Sequence, residues 1–267
     1  MIYPAVARIL DQFGILKNIH DTITPVQSEY LRWPDGSINI HGTNISLLQK
    51  EFDMPVILFH RQKCVEHLYD GLPDQSKIRT SARIEHIEHT ATGIKVCLTD
   101  GTFEEGDLVV GADGVHSLVR QFMWDYAAEN EADTIPKPDK EAFSVQYKGI
   151  FGVGDQGSLP GLGPADVHVV LGEGTTRLLF TQNGLALWAL TYKDEYSQPP
   201  KRFQPDKKEQ DEIARRFKDL KITENITFGH LYKNKTHSGI LNIEEGILEK
   251  WHAGRIVLVG DSAHKVR

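Results

Sequence analysis

The chain has 267 residues, 40% of them hydrophobic and 25% charged, and carries a net charge of -7. That length buries a core sufficient for one large domain or two intertwined ones. The acidic balance speaks against a nucleic-acid partner, which a basic face would serve, and no run of about 18 apolar residues offers a membrane span.

The N-terminus lacks the basic and apolar regions of a secretion signal. Cys64 and Cys97 stand outside any CxxC pair, so they read as reduced thiols in a cytoplasmic setting. No metal site is expected. Without a secretion signal, the Asn44, Asn225 and Asn234 triplets read as chance matches to the glycosylation pattern.

In chain order, "PAVARILDQFGILKNIHD" predicts an amphipathic helix with Ala5, Ile9, Phe13 and Leu16 on one face. "LRWPDGSINIHG" reads as two short strands about a Pro-Asp-Gly turn, and "MPVILFH" as a buried strand. Residues 61–72 predict a helix that turns Val65, Leu68 and Tyr69 inward and stops at Gly71. Four strands follow: "KIRTSA", "IEHIEHT", "GIKVCLT" and "FEEGDLVVGADG", with a hairpin turn at Asp100-Gly101. "HSLVRQFMWDYA" is the next helix, and 127–140 reads as a surface loop. Four alternating runs over 143–192 predict an antiparallel sheet. The basic stretch Lys201 to Lys208 reads as a solvated loop entering the helix "DKKEQDEIARRFKDL". The strand "RIVLVGD" is apolar on both faces, as in a parallel sheet between helices, and its natural neighbours lie early in the chain.

The expected class is therefore mixed α/β. A parallel-sheet layer, 1–125 and 251–267, is interrupted by a linker, 126–140, and by an inserted antiparallel sheet with a helix, 141–250.

Two stretches share one pattern. "DLVVGADGVHSLVR" and "RIVLVGDSAHK" each run from an apolar strand into Gly, Asp and a small residue, then a helix start. Gly111 and Gly260 would let a ligand approach the backbone. Asp113 and Asp261 could cap a helix or accept from a hydroxyl, and a following helix would aim its positive end at the ligand.

This pair of turns resembles the DG and GD motifs of the FAD-dependent monooxygenases of the aromatic-hydroxylase type. Asp113-Gly114 is the core of the first. The wording "VGDSAHK" resembles the fungal members that act on terpenoid, meroterpenoid and polyketide natural products. "PAVARILDQFGI" and "FHRQKCVEHLYDGLP" resemble two further helices of that subgroup. The resemblance implies a non-covalently held FAD, reduced by NADPH or NADH, which activates O2 and delivers one oxygen atom to a small hydrophobic substrate. It implies that Arg61 contacts the ribityl or pyrophosphate region as a donor fork. Asp113 and Gly114 would serve the pyrophosphate side. Asp261 would accept from a ribityl hydroxyl, and a helix from about Ala263, after Gly260 and before His264, would face the flavin ring.

The sheet would roof the substrate, with Tyr147 as the candidate catalytic donor. His168 is a second polar tip on that sheet; either could donate to a substrate oxygen or be an ordinary sheet residue, while Trp188 and Phe180 read as core.

The family's opening strand, G-x-G-x-x-G turn and helix are not in this sequence, and "GVGDQG" and "GLGPAD" do not take their place. After "GDSAHK" only Val266 and Arg267 follow. The chain therefore reads as a fragment with an exposed apolar sheet edge. Three readings stay open: a monooxygenase, hydroxylating or epoxidising; a cofactor-free inactive paralogue; and a flavin-dependent prenyl reductase.

Overall fold

The computed structural model describes residues 1–42, 44–58, 60–131, 134–198, 200 and 206–265. Phe59 of the "MPVILFH" run, residues 201–205 of the basic stretch, and Val266 and Arg267 lie outside the described residues. Along the chain come α1 (Pro4–Gln12), α2 (Leu16–His20), β1 (Ser28–Arg32), β2 (Ile38–Gly42), α3 (Asn44–Phe52) and α4 (Arg61–Asp70). Next are β3 (Ile84–His89), β4 (Ile94–Leu98), β5 (Phe103–Gly106), β6 (Val109–Gly111) and α5 (Leu118–Asn130). Then follow β7 (Ser144–Asp155), β8 (Asp166–Gly172), β9 (Thr175–Gln182), β10 (Leu185–Ser197), α6 (Lys207–Phe217) and α7 (Phe228–Lys233). The last elements are β11 (Lys235–Ile247), β12 (His252–Ala253), β13 (Ile256–Leu258) and β14 (His264–Lys265). They form two compact units: residues 1–75, 148–193 and 203–241 make the first, and 76–147, 194–202 and 242–267 the second.

In the first unit the strands lie in the order β2-β1-β8-β9-β10-β7-β11. Alternation along each strand sends neighbouring side chains to opposite faces. Leu179, Trp188 and Leu190 pack with Ile213, Phe217 and Phe228 of the helices. Phe180 and Leu187 join the cluster of Val26, Ile45, Val56 and Leu58. Trp188 meets Phe228 edge to face at 5.3 Å and is core as expected, while Phe180 is half-buried against the second cluster.

The sheet is mixed, because β1 pairs with β8 in parallel. His168 sits at that junction, 1% exposed. The Arg32 Nε–H donates to its Nδ1 at 3.2 Å, and its ring stacks on Tyr30 at 4.7 Å. It is a sealed structural residue with no face toward a substrate. Burial, followed by the Arg32 charge, outweighs Asp166 and holds its pKa below the ordinary imidazole value. On acidification the unfolded chain takes up this proton first. The stability gained from neutral burial is complete above the unfolded pKa, about 6.5, and is lost as pH falls through it. The urea midpoint should drop between about pH 7.5 and 5.5, and His168→Asn should flatten that slope.

Five local expectations are corrected. Gly14 adopts φ +74°, a left-handed conformation that ends the helix, so α1 and α2 are separate. The buried face of α1 is Pro4, Ala7 and Leu10, while Ile9 and Phe13 are 48% and 66% exposed. On α4, Val65, Leu68 and Tyr69 are exposed and no residue is buried; His67 is half-buried, a ring nitrogen 3.4 Å from Thr22 Oγ1. Periodicity names a face but not the neighbour that covers it. Residues 56–58 are buried but form only a bridge from Ile57 to Ile2, and "KIRTSA" opens with a short 3-10 turn and no strand.

In the second unit β3, β4 and β5 make an antiparallel sheet. The strand expected over "FEEGDLVVGADG" is two strands in different sheets: β5 belongs to this sheet, and β6 runs parallel to β13 with Leu258 opposite Gly111. This is the early neighbour expected for "RIVLVGD". Helix α5 runs past Ala127 to Asn130 because Met123 and Ala127 continue its buried stripe. Asp139 fastens the following turn, accepting from the Glu249 and Lys250 N–H groups at 2.8 and 3.0 Å. Leu108 and Val110, beside and on β6, are 63% and 57% exposed.

Candidate functional site

The two glycine-acid turns meet in the second unit. Parallel pairing of β6 and β13 sets Gly111 beside Leu258, and the Val259 N–H donates to Gly111 O at 2.9 Å. Ser262 is fully buried between them. Its hydroxyl lies 2.6 Å from Gly111 O and 2.7 Å from Val259 O, and accepts from the Val259 N–H at 3.1 Å. Ser262 and Gly111 are 151 positions apart in sequence.

Arg120 makes the second tie. It is 9% exposed, and its guanidinium donates to Ser262 O at 2.9 Å and to Val115 O at 2.6 Å. The same group lies over the Phe143 and Trp124 rings at 4.9 and 5.4 Å. One buried fork therefore clamps the chain after Asp261 to the chain after Asp113. Neither Ser262 nor Arg120 was singled out from the sequence. The available signal was a cation on the inner face of a helix, seven positions after an Asp-Gly pair.

The predicted residues take different parts. Asp113 caps α5: its carboxylate accepts from the Ser117 hydroxyl at 2.5 Å and from the Leu118 and Val119 N–H groups at 2.7 and 3.1 Å. Burial pushes its pKa up, but these hydrogen bonds outweigh burial and leave it below the usual carboxylate value. Its oxygens are occupied by the fold. Gly111 also serves packing, since a Cβ there would stand 2.8 Å from Val119 and 2.9 Å from Leu258. Gly111→Ala should cost about 1–3 kcal/mol of stability through overpacking, read as a lower thermal midpoint of the unliganded chain.

Gly114 and Gly260 differ from Gly111. They have φ of +84° and +61°, and nothing lies within 4 Å of where a Cβ would stand. Asp261 stands beside Gly260 with its side chain 55% exposed, 3.6 Å from Lys265 Nζ. The α-helix expected from Ala263 is absent among the described residues. Residues Gly260–Ser262 form a 3-10 turn and His264–Lys265 a short strand. Ala263 is fully buried and its N–H donates to Gly260 O at 2.9 Å, so it faces no ligand. His264 stacks on Trp251 at 5.0 Å.

Arg61 is exposed at the first position of α4 in the first unit, and Tyr147 is half-buried on β7. The turns themselves offer a hydroxyl acceptor and two uncovered left-handed backbones. That set fits a polyol-phosphate ligand, whose chain needs an acceptor and close approach to backbone.

No protein-family model matches the sequence. Over 99% of its length the chain is 35% identical to the FAD-dependent monooxygenase ausM of Penicillium brasilianum, of which it spans 56%. It is 34% identical, over 99% of its length, to the FAD-dependent monooxygenase paxM of Penicillium paxilli, of which it spans 55%. The chain thus spans little more than half the length of these relatives. Among solved structures it is similar to p-nitrophenol 4-monooxygenase PnpA from Pseudomonas putida, with TM-score 0.74 and 18% identity over 99% of this chain and 62% of that one. It is also similar to Klebsiella pneumoniae HpxO complexed with FAD and uric acid, with TM-score 0.70 and 18% identity over 99% of this chain and 63% of that one. At these identities the solved structures speak for the fold.

Proposed function

We propose that this chain, a homologue of fungal FAD-dependent monooxygenases, is the flavin-turn portion of such an enzyme, with FAD held non-covalently at the joined turns of its second unit. The observation that carries the reading is the junction itself. Two glycine-acid turns, far apart in sequence, are locked together by Ser262 and Arg120, and the parts left uncovered are those a flavin's polyol chain uses.

The geometry supports a division of roles among these residues. Asp261 accepts from a ribityl hydroxyl, because its carboxylate is exposed and charged. Gly260 and Gly114 let the ligand lie against the backbone. Arg120, Ser262 and Asp113 do not touch the ligand; they fix the turns before it arrives, so that binding does not have to order them. Arg61 enters as a charged donor to the cofactor and Tyr147 as a donor to substrate oxygen. The wording of the sequence supports the first, and a half-buried place on β7 the second. Held by Asp261, Gly260 and Gly114, FAD would supply the redox chemistry of an NADPH- or NADH-dependent, O2-using monooxygenation. The substrate class is a small hydrophobic molecule, terpenoid, meroterpenoid or polyketide, hydroxylated or epoxidised. The "VGDSAHK" wording and the fungal relatives support that class.

The test is reconstitution. The purified chain is mixed with FAD, passed through gel filtration and examined for flavin absorbance, and then for NADPH oxidation. Retained flavin supports the reading. A protein that emerges colourless at saturating FAD contradicts it and favours the cofactor-free reading.

A further inference from the structure

A buried carboxylate on β11 stands behind the same turns. Glu244 has a side chain only 8% exposed, and Lys265 Nζ lies 2.9 Å from its Oε2. The same ammonium is 3.6 Å from Asp261 Oδ2, on a side chain that is 55% exposed. His116, from the loop after Asp113-Gly114, brings its Nε2 to 3.8 Å from the other Glu244 oxygen. Two carboxylates therefore compete for one lysine. The shorter contact is a charge-assisted hydrogen bond, and the longer one is outside hydrogen-bond range. The shorter contact is also the less hydrated, so its attraction is the less screened. Glu244 holds the ammonium, and the Asp261 oxygens keep their lone pairs.

We infer that Glu244 is a positioning residue that keeps Lys265 off Asp261, so that the Asp261 carboxylate stays available to a ligand hydroxyl. With Glu244 neutral, Asp261 is the remaining anion beside Lys265 among the described residues. The ammonium closes the 3.6 Å gap and occupies the acceptor that the polyol needs. The consequence for binding rests on the flavin reading above; the competition for Lys265 does not.

The experiment therefore has two arms. In the first, the lysines of the unliganded chain are labelled by reductive 13C-dimethylation, and the Lys265 signal is assigned by its absence in Lys265→Met. The signal is expected to move in Glu244→Gln and to move again when Asp261→Asn is added. A Lys265 signal unchanged in Glu244→Gln overturns the inference. In the second arm the probe is riboflavin, which carries the ribityl hydroxyls without the phosphates that Lys265 could attract by itself. Glu244→Gln should weaken riboflavin binding by about tenfold or more, the loss of roughly one hydrogen bond to a charged group. Adding Lys265→Met to it should return affinity to within about twofold of the Lys265→Met single variant.

A double variant as weak as Glu244→Gln alone assigns Glu244 a merely structural role and overturns the inference. Lys265→Met alone keeps the test decisive if Glu244→Gln does not fold: it removes the competitor and should bind riboflavin at least as tightly as the unaltered chain. Weaker binding by Lys265→Met overturns the inference. If the unaltered chain binds neither riboflavin nor FAD, the flavin reading falls, and the Lys265 signal alone decides whether Glu244 holds it.

Discussion

Replacing Asp261 by alanine is expected to lower FAD affinity about 10- to 100-fold while leaving the fold intact. A hydrogen bond from a hydroxyl to a charged acceptor contributes about 1.5–3 kcal/mol, which is about that factor in a dissociation constant. The fold should not notice the change. The Asp261 side chain is 55% exposed, and its neighbour Lys265 has a closer partner in Glu244. Exposed substitutions of this kind usually change stability by less than about 0.5 kcal/mol. Asp261→Asn should fall between, because the amide oxygen still accepts but without charge. Flavin fluorescence quenching gives the affinities, and the thermal midpoint without flavin gives the control. A large fall in that midpoint would mean that Asp261 is structural.

Arg120→Met has the opposite signature. Its guanidinium is the only donor described for Ser262 O and Val115 O, and it lies over two aromatic faces. Methionine fills much of the volume and donates nothing. Two carbonyls lose a charged donor and two rings lose a cation, a cost of about 3 kcal/mol or more. The unliganded chain should show a clear drop in urea midpoint, and flavin binding should fail with it as the turns lose their register. Arg120→Lys should not restore it, because one ammonium cannot reproduce a planar fork to two acceptors. Asp113 should contribute through the same element. It caps α5, so its removal acts on stability and reaches the ligand only through the turn.

Much of this arrangement was legible in the sequence. The alternation of β7 to β10 and the turn between β1 and β2 follow from side-chain periodicity and turn residues, which are local signals; the two apolar faces of the last strand pointed to a neighbour early in the chain without naming β6. Trp188 was readable as core from its strand. The meeting of Asp113 and Asp261 in one place was readable only through the resemblance of both stretches to the paired motifs of the flavin monooxygenases, since a strand-Gly-Asp turn by itself also describes an ordinary helix cap.

What the pattern could not show is which member of each turn faces outward. Gly111 and Gly260 look alike as letters, yet one makes room for Val119 and Leu258 and the other lies open. That difference comes from long-range packing. Asp113 and Asp261 divide in the same way: one precedes a helix long enough to need a cap, and the other lies within a three-residue 3-10 turn. Glu244 was not legible, because nothing in "NIEEGILEKW" distinguishes a buried carboxylate from its exposed neighbours. The inverted faces of α1 and α4 have the same cause, since a helix can be amphipathic without revealing which neighbour it meets.

The most direct measurement is a flavin titration of the 15N-glycine-labelled chain, followed by its amide NMR spectrum. The account predicts that the Gly114 and Gly260 amides shift together and saturate at one FAD concentration, while glycines of β7 such as Gly152 stay in place. Saturating FAD that leaves both amides unmoved, or that moves only glycines of the first unit, would contradict it.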